Sequence, residues 1–314
     1  MFKTIVSVIF LTAALTGCGA DPDPGGGLLI SSKQTGNWEV FAFHPKSSIV
    51  LQVTHEAGYV VDYDMLNPDE VAAEVEGFDF EPTWSPDGKR IVLVSDRYGI
   101  HELLIVDLHG SVLNKLTGAG PGVGEPAWSP DGTQIAFRGD YTEDRDVELF
   151  VMDADGSNVR QLTHSPGEDW TPTWSPDGTL LAFASRRGNG SWDLFTMRKD
   201  GSEIAQLTSD EWDNYLPDWS PDGNQIAFSS NRNGNWDIFT MNLDGTAVRQ
   251  LSDHPMPDIE PVWSPDGKSL AFASSRTGTR GWEIFFVEVE SGQISGSGQA
   301  GYPTDWFGEI EDSG

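Results

Sequence analysis

Five copies of Trp-Ser-Pro-Asp-Gly begin at Trp84, Trp128, Trp174, Trp219 and Trp263, in steps of 44, 46, 45 and 44 residues. A period near 45 residues means that one supersecondary unit is used again and again, and a unit of that size is a four-stranded propeller blade. The stretch 125–163 reads as one such unit. Pro126-Ala127-Trp128 is a short first strand, and Ser129-Pro130-Asp131-Gly132 is a turn in which Pro sets φ and Gly suits the last position. Ile135-Ala136-Phe137 alternates large and small as a half-buried strand does. Residues 147–152 form a third strand, Asp153-Ala154-Asp155-Gly156 a turn, and 159–163 the fourth strand. A sheet this small is unstable alone and gains its burial by stacking between two neighbours in a closed ring. The repeated tryptophans, with a degenerate sixth at Trp306, are read as the packing between blades, their indole N–H groups satisfied at the periphery.

The blades are counted from the third strand. It recurs as Glu39-Val40-Phe41, Glu102-Leu103-Leu104, Glu148-Leu149-Phe150, Asp193-Leu194-Phe195, Asp237-Ile238-Phe239 and Glu283-Ile284-Phe285, which makes six. Residues 31–54 align without a gap onto 229–252, so the N-terminal part supplies three strands of a blade that lacks its first. Tyr302-Pro303-Thr304-Asp305-Trp306 supplies the missing strand. The expected fold is all-β: a six-bladed propeller over 28–306, with N- and C-terminal strands closing one blade. The stretch of about 55–80 is longer than the equivalent connection elsewhere. Within it, Asn67-Pro68-Asp69-Glu70 reads as a helix start, 71–76 as a short helix and Gly77 as its end. An alternative pairs Ile49-Val50-Leu51 with Ile91-Val92-Leu93 and gives seven blades.

Both ends carry signals of their own. Lys3 precedes an apolar run over 5–15 that is too short to span a bilayer, and Leu15-Thr16-Gly17-Cys18 places small residues before the single cysteine. Residues 1–17 look like a bacterial lipoprotein signal peptide. That resemblance implies that Cys18 becomes the N-terminus and carries lipid, and that Gly19, standing where Asp would retain the protein at the inner membrane, directs it to the outer one. Two or three acyl chains, at ~0.8 kcal/mol per buried methylene, anchor firmly. Residues 18–27, rich in Pro and Gly, are a flexible tether, and 307–314 are an acidic tail. The chain holds 19 basic and 49 acidic residues, a formal net charge of -30. Such a surface repels phosphate backbones and excludes nucleic acid as a partner.

Catalytic signals are sparse. Ser295-Gly296-Ser297-Gly298 lacks the spacing of a nucleophile elbow. Asp153-x-Asp155-Gly156 and Asn242-x-Asp244-Gly245 begin like calcium loops, but they lack the downstream ligands and occupy hairpin turns. No cofactor is expected, and a divalent cation such as calcium on the acidic loops stays open as an alternative. His164 and His254 occupy equivalent connections between blades and are the candidate metal ligands. Basic residues recur between second and third strands at Lys33, Arg97, Arg138, Arg186, Arg187, Arg232 and Arg276. They face Glu168-Asp169, Asp210-Glu211-Trp212-Asp213 and Asp258-Ile259-Glu260. A basic ring suits an acidic peptide or a uronic-acid sugar, because arginine forks match carboxylates. The competing reading pairs these arginines with carboxylates between blades and makes them structural. Trp212 and Tyr215 mark the rim expected to meet a partner.

The whole repeat stands as Pro172-Thr173-Trp174-Ser175-Pro176-Asp177-Gly178, Ala182-Phe183-Ala184-Ser185-Arg186, Asp193-Leu194-Phe195 and Leu207-Thr208. It resembles the TolB-like propeller family over nearly the whole mature chain. The resemblance is specific for fold and much less so for function, because propellers carry many unrelated activities. Periplasmic TolB itself is soluble and has a further N-terminal α/β domain, for which this chain is expected to have no room. The same repeat occurs in polysaccharide-lyase-like propellers and in the non-catalytic propellers of some serine peptidases. The expectation is a lipid-anchored, monomeric, non-catalytic scaffold that faces the periplasm and binds another cell-envelope protein. The alternatives are an oligouronide-lyase-like enzyme using His164, His254 and a divalent metal, and a small-ligand sensor using the central channel.

Overall fold

The computed structural model describes residues 27–33, 38–44, 49–54, 78–98, 101–117, 122–141, 146–188, 190–278 and 281–307. Among these residues every regular element is a strand, and the strands form six four-stranded antiparallel sheets. Blades 2 to 6 open with the innermost strands Asp79–Trp84, Val123–Trp128, Asp169–Trp174, Asn214–Trp219 and Asp258–Trp263. Blade 1 is built from Gly27–Ser32, Glu39–His44 and Ile49–Gln52, and its innermost strand is Tyr302–Phe307. The six innermost strands touch one another in a closed cycle, which makes the assembly a six-bladed propeller. The seam between the chain's two ends pairs Leu28 with Trp306 and Ser31 with Tyr302, as the alignment of 31–54 onto 229–252 requires.

The seven-blade alternative fails on pairing. Ile49–Gln52 is bonded to Glu39–His44, and Arg90–Ser95 lies between Asp79–Trp84 and Glu102–Asp107. Both edges of Arg90–Ser95 are thereby taken, so it cannot pair with 49–51. The helix expected over 71–76 lies outside the described residues, as do the signal segment 1–17, Cys18, nearly all of the tether and the tail beyond 307.

Each apolar cluster is shared by two blades. Val92 and Leu103 of blade 2 pack with Trp128 and Phe137 of blade 3. Leu28 and Ile30 of blade 1 pack with Val262 and Ile284 of blade 6. The five repeated tryptophans are buried in these seams, and Trp306 is partly buried against Phe286. The indole N–H groups of Trp174 and Trp219 bond along the seam toward the ring axis, not toward the periphery, while those of Trp128 and Trp263 are buried without a partner among the described residues. Trp174 Nε1 donates to the Ala127 carbonyl at 3.1 Å, and Trp219 Nε1 to the Thr173 carbonyl at 3.2 Å, each on the preceding blade's innermost strand.

The Ser-Pro-Asp-Gly turns explain why the motif is repeated so strictly. In the turn after Trp128, Ser129 Oγ donates to Asp131 and accepts the Gln134 N–H at 2.9 Å, closing the corner from inside. Gly132 has φ +69°, a left-handed conformation that favours glycine. The same bonds recur at Ser85, Ser175, Ser220 and Ser264.

Trp219 is 5% exposed, whereas Trp212, seven residues earlier, is 40% exposed. Trp219→Ala is expected to cost about 3–5 kcal/mol in urea unfolding. Trp212→Ala should stay within about 0.5 kcal/mol of the parent protein. Equal costs would contradict the seam role of the repeat.

Candidate functional site at the channel mouth

Every innermost strand of blades 2 to 6 is bulged just before its tryptophan, so that two residues oppose one on the neighbouring strand. The bulge puts a non-glycine residue at positive φ in five equivalent places: Glu81, Glu125, Thr171, Leu216 and Glu260, with φ between 50° and 57°. Such a backbone costs on the order of 1–3 kcal/mol per residue and persists only where its surroundings hold it. Here the preceding blade holds it. The Glu125 N–H donates to Glu81 Oε2 at 2.7 Å, and the Thr171 N–H donates to Glu125 Oε2 at 2.6 Å. The N–H groups of Glu81 and Glu260 donate to Ser31 Oγ and Ser229 Oγ at 3.2 and 3.1 Å.

The bulges turn Glu81, Glu125 and Glu260 into a central cavity of about 340 Å³, together with Asp218 and Asp305. Asp305 and Asp218 occupy equivalent positions, and each caps the following blade's tryptophan. The Trp84 N–H donates to Asp305 Oδ2 and the Trp263 N–H to Asp218 Oδ2, both at 2.7 Å. Burial dominates the acidity of all five carboxyls. It raises Glu81, which Arg138 and the Glu125 N–H pull back down. It raises Glu125 further, with the charge of Glu81 adding to it. Glu260 is pushed up to about 8, by burial and then by Glu81 and Glu125. Asp218 rises to about 7 and Asp305 to about 6, each tempered by the amide it caps.

On four of the six blades an aromatic group stands beyond this acidic cavity, at the end where the innermost strands begin, and blade 6 carries Ile259 there. Phe80, Trp170, Tyr215 and Tyr302 stand at equivalent positions, opposite Val94, Ala184, Ser229 and Ser31. Blade 3 reverses the arrangement, with Gly124 on the first strand and Arg138 on the second. A side chain at Gly124 would collide with the guanidinium, so the glycine makes room for Arg138. Arg138 Nε lies 3.4 Å from Glu125 Oε2, and its guanidinium lies 4.4 Å from the Trp170 ring centre. Trp192 packs on both Trp170 and Tyr215, at 5.8 and 5.0 Å between ring centres, and the Tyr215 hydroxyl donates to Glu125 Oε1 at 3.5 Å. Burial first, and then Glu125, pushes the Tyr215 hydroxyl well above the usual phenol value.

The arginines singled out in the sequence divide between two settings. Arg97, Arg187 and Arg276 each bind an aspartate at the start of their own blade's innermost strand: Asp79, Asp169 and Asp258. Each also donates Nε to a serine at the end of the second strand, at 2.9 Å. Arg232 does the same with Ser230, Asn214 and Asp210. These pairs lie within blades rather than between them, because one short strand start and one strand end meet there. The network then crosses the seam through carboxylates such as Glu148, which is raised by burial and neighbours Asp169 of the next blade. Arg186 is more open. It lies over Trp192 at 4.7 Å and 3.7 Å from Glu168.

Lys33 is exposed, beside Trp38 and Phe78. His164 is exposed, while His254 Nδ1 accepts the Met256 N–H at 3.1 Å. Among the described residues no three His, Cys, Asp or Glu side chains converge as a metal site.

The column Glu81, Glu125 and Glu260 escaped the sequence reading, which treated Glu260 only as part of an acidic connection. Its signal was there. It is the residue immediately before the recurring Pro-x-Trp, and three of its five members are acidic. Arg138 was also visible as a departure, a long cation where other blades carry Val, Ala or Ser.

The sequence matches PD40, the TolB β-propeller domain, over 122–217 and 206–303, which is more than half of the chain. The chain belongs to the TolB β-propeller family. No curated protein sequence matches it. Among solved structures, this TolB-type propeller is similar to a putative TolB from Agrobacterium tumefaciens, at 23% identity and TM-score 0.69, over 89% of this chain and 93% of that one. It is similar to TolB from Acinetobacter baumannii, at 19% identity and TM-score 0.69, over 90% of this chain and 66% of that one. An oligogalacturonate lyase in complex with manganese shares the fold at 16% identity and TM-score 0.57, over 87% and 73% of the two chains.

The channel carboxyls give this TolB-type propeller a pH signature. Glu260 has an ordinary value of 4.5 when unfolded and about 8 when folded. Between those values the folded state keeps a proton that the unfolded state has lost, so stability falls as pH rises across the window. The melting temperature should therefore decline from about pH 5 toward about pH 9, and Glu260→Gln should flatten the decline. Parallel profiles for parent and variant would show that Glu260 titrates as an ordinary carboxyl.

Proposed function

We propose that this chain is a lipid-anchored scaffold of the bacterial cell envelope that binds another envelope protein, without catalysis, through the channel-mouth face. One observation carries the reading: a collar of aromatic groups from four blades stands at the mouth of a cavity with buried carboxyls, at the end of the ring where the connections between blades also lie. Large, stiff aromatic groups give contact area at little conformational cost, and such groups dominate protein interfaces. Trp212, three residues before Tyr215 on the connection into blade 5, offers an exposed ring at the same end of the propeller. The arginines that the basic ring required are mostly committed to their own blades, which leaves the collar as the better contact surface. The lyase likeness extends to the fold alone.

Anchoring rests on the segment ending in Leu15-Thr16-Gly17-Cys18, and the envelope setting on the fold shared with TolB proteins. Cys18→Ala should move the protein from the membrane pellet to the soluble fraction on cell fractionation; an unchanged pellet would remove the lipid from the proposal. Partner contact is tested with a photo-crosslinking residue in living cells. Placed at Trp212 it should trap one discrete envelope protein, and placed at Thr133, in a turn at the opposite end of the strands, it should trap none. The same products from both sites, or none from Trp212, would count against this face.

A further inference from the structure

A second cavity, of about 490 Å³, opens beside the channel mouth between blades 1, 2 and 6. Its walls are aromatic: Trp38, Phe78, Phe80, His101 and Tyr302. Tyr302 packs against Trp38 at 5.7 Å and Trp282 at 5.5 Å, and Phe80 meets the His101 ring edge-on at 5.0 Å. Glu81 and Glu260 line both this cavity and the central one. Two features of this wall point to a ligand of definite chemistry.

The first is Lys33. Its ammonium sits 5.0 Å from the centre of the Trp38 ring and 5.8 Å from that of Phe78. Both distances fall within the range at which an ammonium is attracted to an aromatic face. The chain's own alkylammonium therefore already occupies part of the site. It does so from an exposed position, from which a flexible stem withdraws at little cost.

The second is Glu260. Its backbone is fixed by Ser229, but its carboxylate has no hydrogen bond and no ion pair among the described residues. Glu81, by contrast, accepts the Glu125 N–H and feels Arg138. A half-buried carboxyl that Lys33 does not pair holds its proton, because burying the charge is costly until a cation meets it, and an ammonium seated beside it lets it ionise. Aromatic faces on one side and an unpaired carboxylate on the other are complementary to an organic cation: the rings meet the alkyl stem and charge, and the carboxylate accepts the N–H bonds.

We propose that this side cavity is a receptor for an alkylammonium group, held between the Trp38 and Phe78 rings and the Glu260 carboxylate, with Lys33 as a resident occupant that an incoming amine displaces. The source is either a lysine side chain of a protein docked on the mouth or a free alkylamine; the chemistry is the same. The site shares the face of the proposed partner but does not depend on it, since small probes need no partner.

The test is calorimetric titration of the full chain with n-pentylammonium, with a blocked pentapeptide carrying one central lysine, and with the same peptide carrying norleucine. Saturable binding of the first probe alone assigns the site to free amines, and binding of the lysine peptide as well assigns it to protein side chains. Glu260→Gln should weaken binding about tenfold. Lys33→Ala should strengthen it about three- to fivefold, because the resident occupant is gone. Opposite shifts from two variants cannot both come from misfolding. Equal binding of the norleucine peptide, no saturable binding by either the parent or Lys33→Ala, or indifference to Glu260→Gln would overturn the proposal. Any of these results would leave the crosslinking at Trp212 to stand or fall separately.

Discussion

The sharing of apolar faces between adjacent sheets is the interaction on which the rest of this molecule depends. A four-stranded sheet cannot cover its own two faces, and the second strands show how the ring does it for them. In Gln225–Ser230, Ile226 and Phe228 turn toward blade 4, while Ala227 turns toward blade 6 and leaves space that Trp263 fills. The period of two in a strand thus becomes a rule of large on one side and small on the other. Four seams set a tryptophan against an alanine of the second strand in this way, while the two seams that flank blade 2 use Leu29 and Val92 in that place. The closing seam follows the rule with residues from opposite ends of the chain.

Fixed seams bring the beginnings of six strands together around one axis, and there the structure departs from its own regularity. The bulges hold glutamates in a backbone conformation they would not choose, through bonds that run from each blade to the next. In a chain with a formal charge of -30, the carboxyls at the axis behave differently from those on the surface. The turn aspartates Asp131 and Asp177 are held low by their serine neighbours, while Glu260, Asp218 and Asp305 are pushed up by burial. The exterior is permanently anionic and the axis is poised to gain or lose protons. The two populations come from the same residue types and are parted by hydrogen bonding on the surface and by desolvation at the axis.

The architecture was legible because its determinants are local and repeated. Pro and Gly in each turn, the large–small alternation and the tryptophan position all declare themselves within a few residues, and the gap-free match of 31–54 to 229–252 revealed the closure. The site was less legible because it belongs to columns, not to runs. Glu81, Glu125 and Glu260 are more than forty residues apart and meet only once the ring has closed. Arginine recurrence was the louder signal, but Arg97, Arg187, Arg232 and Arg276 recur for the same reason the tryptophans do: each fastens its own blade. Informative cations are the ones that break the pattern. Arg138 replaces a small residue and needs a glycine opposite, and Lys33 lies on rings instead of on a carboxylate.

The closing blade also sets a direction. Its second strand enters the ring at Gly27, opposite Phe307, and runs toward Ser31, which lies opposite Tyr302 at the mouth. Polypeptide arriving from the N-terminal side therefore joins the propeller at the end of the axis farthest from the collar. On the proposal of a lipid-anchored chain, attachment and aromatic opening would thus belong to opposite ends of the ring axis, and a molecule engaged at the mouth would not compete with the point where the tether joins.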